Sequence, residues 1–263
     1  MRAYLSVFKM RLRMELQYRG AMIGGILCQM FFGLILVALY RALYAGKPQS
    51  VPIESVATYV WLQQAFFRMM VASDSELLDK IRSGDISYDL CRPVNMYGFY
   101  YARVMAQKLM GSVMRAVPML IMAFLLPKGW GITLPSSFSG FLACIPALAL
   151  GLFCMCALEN ITVAFTMRTL DPRGMQGLLN LLMMTLSGNL LPLNLFPASW
   201  QKVITFFPYA QLLDAPIRLY TGEYIPADAF RVYVLQAFWV VVLISLGAAM
   251  WNANRKRMIV QGG

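Results

Sequence analysis

The chain has 263 residues, 59% of them hydrophobic and 13% charged, with a mean hydropathy of +0.60. A soluble domain carries about twice that charged fraction, so a soluble globular protein is excluded. The formal net charge is +11 and there is no His. The commonest general base and metal ligand is therefore missing, and the cation excess fits the bias of Lys and Arg toward cytoplasmic loops better than it fits nucleic-acid binding.

Long apolar runs predict an all-α polytopic membrane protein with six transmembrane helices, forming a single domain over 1–263. The ~10-residue alternating segments of a β-barrel are not seen. Basic residues continue through Arg19 before the first apolar run, and no small-residue cleavage pattern follows it, unlike a cleaved secretory signal.

Residues 1–19 read as an amphipathic interfacial helix. Met1, Leu5, Phe8, Leu12 and Leu16 share one helical face among Arg2, Lys9, Arg11, Arg13 and Arg19, a pattern that lies in an anionic headgroup layer. The alternative is a helix packed on protein. The first span is 21–44, with Tyr40, Arg41 and Tyr44 at its far interface. The second, 55–72, carries Gln63, Gln64 and Arg68, and a segment that polar should face other helices rather than lipid.

Residues 73–100 form the longest polar stretch between spans. Ser73 and Glu76 stand at capping-box spacing. Leu77, Leu78 and Ile81 make an apolar stripe, Glu76 and Lys80 form an i,i+4 pair, and Ser83-Gly84-Asp85 stops the helix. Ile86–Leu90 alternates as an extended segment would, and Arg92-Pro93 makes a bend. By composition this is a solvated connecting loop. Its surroundings suggest a cytoplasmic element through which another protein moves the chain.

The third span, 100–126, holds Lys108 and Arg115 and is expected to kink at Pro118. The fourth, 138–165, contains Pro146 and Glu159. The fifth, 174–191, breaks at Gly188-Asn189-Leu190-Leu191-Pro192. Residues 193–227 should form an external hairpin of two half-helices, dipping into the outer leaflet or lying on it, interrupted at Phe206-Phe207-Pro208-Tyr209. The second half-helix runs from about Ala210 to Tyr220. The sixth span is 230–251. On this topology fourteen basic residues fall inside and six outside, which puts both termini in the cytoplasm.

Candidate chemistry is sparse. The chain has no G-x-x-x-x-G-K-[ST] loop, no G-x-S-x-G elbow and no H-E-x-x-H, so no catalytic residue and no metal site is assigned. Cys154-Met155-Cys156 reads as packing rather than a soft-metal pair. Glu159 is the exception: a carboxylate inside a span needs a partner or a water-filled surface. It is either a substrate contact or half of an interhelical ion pair with Arg68, Lys108 or Arg115. A neutral Gln at 159 is expected to be tolerated for folding. Gln63, Gln64, Arg68, Glu159 and Asn180 are grouped as substrate-path or interhelical residues, and the Met-rich fifth span (Met175, Met183, Met184) offers an adaptable surface or plain packing.

Three stretches carry a family resemblance: Lys80–Pro93 (KIRSGDISYDLCRP), Ser187–Pro197 (SGNLLPLNLFP) and the end of the basic tail, Val260–Gly263. With the order of the spans they resemble the membrane subunits of type-2 ATP-binding-cassette exporters, most of all small bacterial permeases of multidrug or viologen-exporter type. The resemblance implies a permease in the bacterial inner membrane that moves a small amphipathic, hydrophobic or lipid-like molecule outward. ATP and magnesium would be held by a separate ATPase, with no cofactor in this chain. A second permease, the same chain or a paralogue, would complete the transporter. Ser75, Glu76, Leu77, Leu78, Lys80, Ile81 and Arg82 would belong to the coupling helix that docks on the ATPase. On that reading Leu77→Asp is expected to uncouple transport while leaving insertion intact. The competing readings are a non-catalytic assembly or immunity subunit and, less favoured without a clustered acid/base set, a lipid-modifying enzyme.

Overall fold

A computed structural model describes residues 2–17, 19–45, 51–71, 75–189 and 191–255. The cap at Ser73, the turn at 46–50 and the tail from 256 lie outside the described residues, as does the side chain of Ser75. Among the described residues there is no strand. The α-helices are α1 (Arg2–Gln17), α2 (Arg19–Ala45), α3 (Ile53–Met70), α4 (Ser75–Ser83), α5 (Ile86–Leu90), α6 (Met96–Leu125), α7 (Phe138–Thr169), α8 (Arg173–Leu186), α9 (Ala198–Ile204), α10 (Asp214–Thr221) and α11 (Ala229–Arg255).

Four helices are long and apolar enough to cross a membrane: Met22–Ala45, Met96–Leu125, Phe138–Thr169 and Pro226–Arg255. The spans predicted at 55–72 and 174–191 are helical but fall short of that measure. α3 has 18 residues including Glu54, Gln63, Gln64 and Arg68, and most of it is buried within the bundle. α8 has only 14 residues, about 21 Å at 1.5 Å per residue, and shows Leu178, Leu181 and Met184 to the outside.

Two of the long helices, α6 and α7, start on side-chain caps. Asn95 accepts from Gly98 N–H at 3.2 Å and Ser137 from Gly140 N–H at 3.0 Å; each satisfies an N–H that lacks a partner in the first turn. α7 lies against α11, α6 and α10 and is the centre of the bundle. Its contact with the hairpin needs a missing Cβ: a side chain at Gly151 would collide with the Leu212 carbonyl, so the small residue lets the two backbones approach closely.

α1 runs along α6 and does two things at once. Val7 and Arg11 are buried against the protein, while Leu5 and Leu16 of the predicted apolar face stay exposed.

The extended segment expected over Ile86–Leu90 is instead the short helix α5. Asp89 decides this: its carboxylate accepts from Tyr100 Oη at 3.0 Å and pairs with Arg92 at 3.2 Å and Lys80 at 3.7 Å. Holding three partners on one side chain needs the chain turned back on itself, with Ile86 buried one helical turn away.

The hairpin also differs in its inner half. α9 keeps Trp200 and Val203 exposed, but α10 is buried throughout Asp214–Tyr220 and packs between α7 and α3. It is part of the core rather than a surface element. Pro208 and Tyr209 sit at the turn between the two halves, as the interruption in the sequence indicated.

Candidate functional site

Three polar assemblies with charged members stand out among the described residues of the bundle. The first joins α4 to its surroundings. Glu76 pairs with Arg103 at 2.8 Å and Arg11 at 2.9 Å, tying α4 to α6 and α1. Burial alone would raise the Glu76 carboxyl, but Arg103 and Arg11 outweigh it and hold the group below its ordinary value. On the other face of α4, Leu77, Leu78 and Ile81 are buried in a cluster with Tyr97, Tyr100, Val163, Met167 and Trp251. The apolar stripe of this helix therefore grips α6, α7 and α11 of its own chain. Lys80 turns toward Asp89, and Arg82 is half exposed beside Asp79 at 3.8 Å. Tyr88 is 77% exposed. The outward surface of this unit includes Asp79, Arg82, Ser83, Asp85 and Tyr88, with Glu76 half exposed at its edge; of these, sequence reasoning assigned Glu76 and Arg82 to the coupling helix.

The second assembly lies deeper. Lys108 Nζ meets Glu159 Oε2 at 2.6 Å, with the side chains 0% and 5% exposed. Lys108 also donates to the carbonyls of Val71 at 2.9 Å and Met69 at 3.3 Å, where α3 ends and its last carbonyls lack helical partners. Of the three partners expected for Glu159, Lys108 is the one that the fold supplies. Arg68 packs over Gly111 and donates to Val71 O at 3.5 Å, and Arg115 lies over Gly25 of α2.

The third assembly sits toward the hairpin. Tyr59 Oη donates to Asp214 Oδ1 at 2.6 Å, and Asp214 Oδ2 meets Arg218 Nε at 2.8 Å. Gln63 Nε2 donates to Ser187 O at 3.0 Å and to Tyr59 Oη at 3.2 Å. α3, α10 and the break after α8 are thereby fastened to one another. The break itself requires Gly188: its φ is +76°, where only glycine is unstrained, and a Cβ there would collide with Tyr59 Oη.

The grouped residues are thus divided. Gln63 belongs to the hairpin assembly and Gln64 is buried beside it near Gly188 and Pro192. Glu159 belongs to the Lys108 assembly. Asn180 is exposed on α8 and joins neither. Sequence reasoning missed Asp214, Arg218 and Tyr59. The available signal was an Asp–Arg pair at i,i+4 spacing in a helix too short to cross a membrane.

Long apolar helices, a buried interhelical ion pair and a loop helix tied to several of them define a multi-pass helical membrane protein. Residues 25–262 match the family model described as ABC-2 family transporter protein, and the chain belongs to that family. It is a permease subunit of a family that generally works with an ATPase subunit. No curated protein sequence matches it.

Proposed function

We propose that this chain is the six-span permease of an ATP-driven exporter in the bacterial inner membrane, with both termini in the cytoplasm. α3 and α8 complete the six crossings, shielded or shortened by the bundle around them. A separate ATPase binds and hydrolyses magnesium–ATP and docks on the 73–100 loop, and a second permease, identical or related, faces this one across the cargo path. The cargo is a small amphipathic or hydrophobic molecule, driven outward.

The observation that carries this reading is the two-sided character of α4. Its inner face is buried among α6, α7 and α11, and Glu76 holds α1 and α6. Its outer face, with Asp79, Arg82 and neighbouring Tyr88, has no apolar stripe to bury within this chain. A push on that outer face is transmitted to four helices at once, because packed cores shift as units rather than deform. The exposed apolar face of α1 suits the headgroup layer, which would keep the lever at the membrane surface.

The test is co-expression with a candidate ATP-binding-cassette ATPase subunit from the same genome. Arg82→Glu with Tyr88→Ala should abolish stimulation of ATP hydrolysis and transport while the purified subunit keeps its unfolding midpoint. Full stimulation in that variant would overturn docking at this face.

A further inference from the structure

At the hairpin end an open cleft of about 590 Å³ lies between α9, α10 and the first turns of α11. Its walls carry Lys202, Arg218 and Arg231 against one carboxylate, Asp228. Asp228 is committed to closing its own turn, where Oδ2 accepts from Ile225 N–H at 3.1 Å. Two further carboxylates stand beside Arg218, both measured to Nε: Asp214 at 2.8 Å and Glu223 at 3.8 Å. Arg218 is 5% exposed, and beyond those ion-pair contacts neither its Nε nor its Nη2 has a hydrogen-bond partner among the described residues. A buried guanidinium N–H without an acceptor is costly, and the guanidinium fork matches the oxygens of a phosphate. Gln211 Oε1, buried in the same wall, is also without a donor among the described residues, and could accept from a hydroxyl.

The depth of the cleft adds a second constraint. The last apolar segment, Pro226–Arg255, has 30 residues, about 45 Å of helix against ~30 Å of hydrocarbon. Its first turns, which carry Arg231, then stand at headgroup level. Trp239, eight residues or about 12 Å further along α11, donates Nε1 to Phe206 O at 2.7 Å and pins the hairpin to this helix below that level. Two of the helices that supply the walls, α9 and α11, also expose Trp200, Val203, Val234 and Phe238, apolar surface for acyl chains beside a cationic recess.

We infer that this cleft binds the phosphate headgroup of an anionic amphiphile. Arg218 and the outer cations Lys202 and Arg231 take the phosphate oxygens, and the chains lie on the exposed faces of α9 and α11. The inference stands on the cleft and does not depend on the transport reading.

The test is native mass spectrometry of the full chain in a neutral detergent. The probes are a short-chain phosphatidic acid, phosphatidylcholine of the same chain length, and inorganic phosphate. The wild type should retain one phosphatidic acid in preference to phosphatidylcholine, and K202Q/R231Q should weaken this about tenfold or more. K202R/R231K should retain it. Arg231→Gln alone gives the same reading should the double variant fold poorly. Undiminished binding in the Gln variants, equal retention of phosphatidylcholine, or displacement by an equal concentration of inorganic phosphate would each overturn the inference.

Discussion

Lys108 Nζ and Glu159 Oε2 stand 2.6 Å apart with both side chains shut off from solvent. The same ammonium holds the carbonyls of Met69 and Val71. One buried cation thus joins α6, α7 and the end of α3, so the pair fixes how three helices meet. With Lys108 as the partner, the expectation that Gln is tolerated at 159 reverses. A neutral amide would leave a buried ammonium facing no counter-charge, and breaking such a pair from one side costs about 3–5 kcal/mol. Glu159→Gln and Lys108→Met should each lower the unfolding midpoint. The double variant Lys108→Met with Glu159→Met should recover part of the loss. Recovery stays incomplete because the carbonyls at the end of α3 lose their donor. The test is thermal unfolding of the three variants in one detergent. A single Gln substitution without effect would show that this pair does not hold the bundle.

Glu76 makes the attachment of α4 sensitive to acid. Its carboxyl lies below the ordinary value of 4.5, held there by Arg103 and Arg11. The folded state therefore binds this proton less readily than the unfolded chain. The contribution of the tether is complete above 4.5 and is lost as pH falls through the lower, folded value. Hydrogen exchange of the α4 amides should accelerate over that acid window in the wild type. In Glu76→Gln it should be faster already at neutral pH, with no further change in the same window. The same acid response in both proteins would assign the effect to another carboxylate.

The hairpin is latched by Tyr59. Tyr59→Phe removes the 2.6 Å hydrogen bond to Asp214 and should cost about 1–3 kcal/mol, because the carboxylate is left buried with one partner fewer. Gly188→Ala should cost more, since a Cβ there meets both a left-handed φ and the Tyr59 hydroxyl. In the combined variant the collision is relieved but the backbone strain is not. The two effects should therefore sum to less than their separate costs. Strict additivity in a double-mutant cycle would show that the close approach is not felt.

Much of this molecule was legible in its sequence because apolar length and helix punctuation are local signals. The helix over Ser75–Ser83, the break at Gly188, the first half-helix after Pro197 and four of the long segments fall where the pattern puts them, while the second half-helix starts at Asp214 rather than near Ala210. What was not legible depends on partners distant along the chain. Asp89 turns Ile86–Leu90 into a helix through Tyr100, Arg92 and Lys80, and alternation over five residues carries no trace of that. Asp214 and Arg218 carry no local sign of burial, because it is created by α3 and α7, more than forty residues upstream. Lys108 was one of three cations that spacing alone could not rank.

The same limit governs Leu77. An apolar stripe on a loop helix reads equally well as a face for a partner or as a face for the chain's own core, and Leu77 is 0% exposed among Tyr100, Val163 and Trp251. Leu77→Asp would bury a carboxylate with no cation in that cluster, a cost of several kcal/mol. It should therefore be lost from the membrane or unfold rather than uncouple cleanly. Leu77→Ala should cost about 2–5 kcal/mol through the cavity it leaves. Arg82→Glu, on the half-exposed face beside Asp79, should leave stability within about 0.5 kcal/mol while reducing stimulation of the ATPase. Membrane yield, unfolding midpoint and stimulated hydrolysis, measured together on the three variants, separate the faces. A stable, inserted Leu77→Asp protein with normal hydrolysis and no transport would mean that Leu77 faces a partner after all.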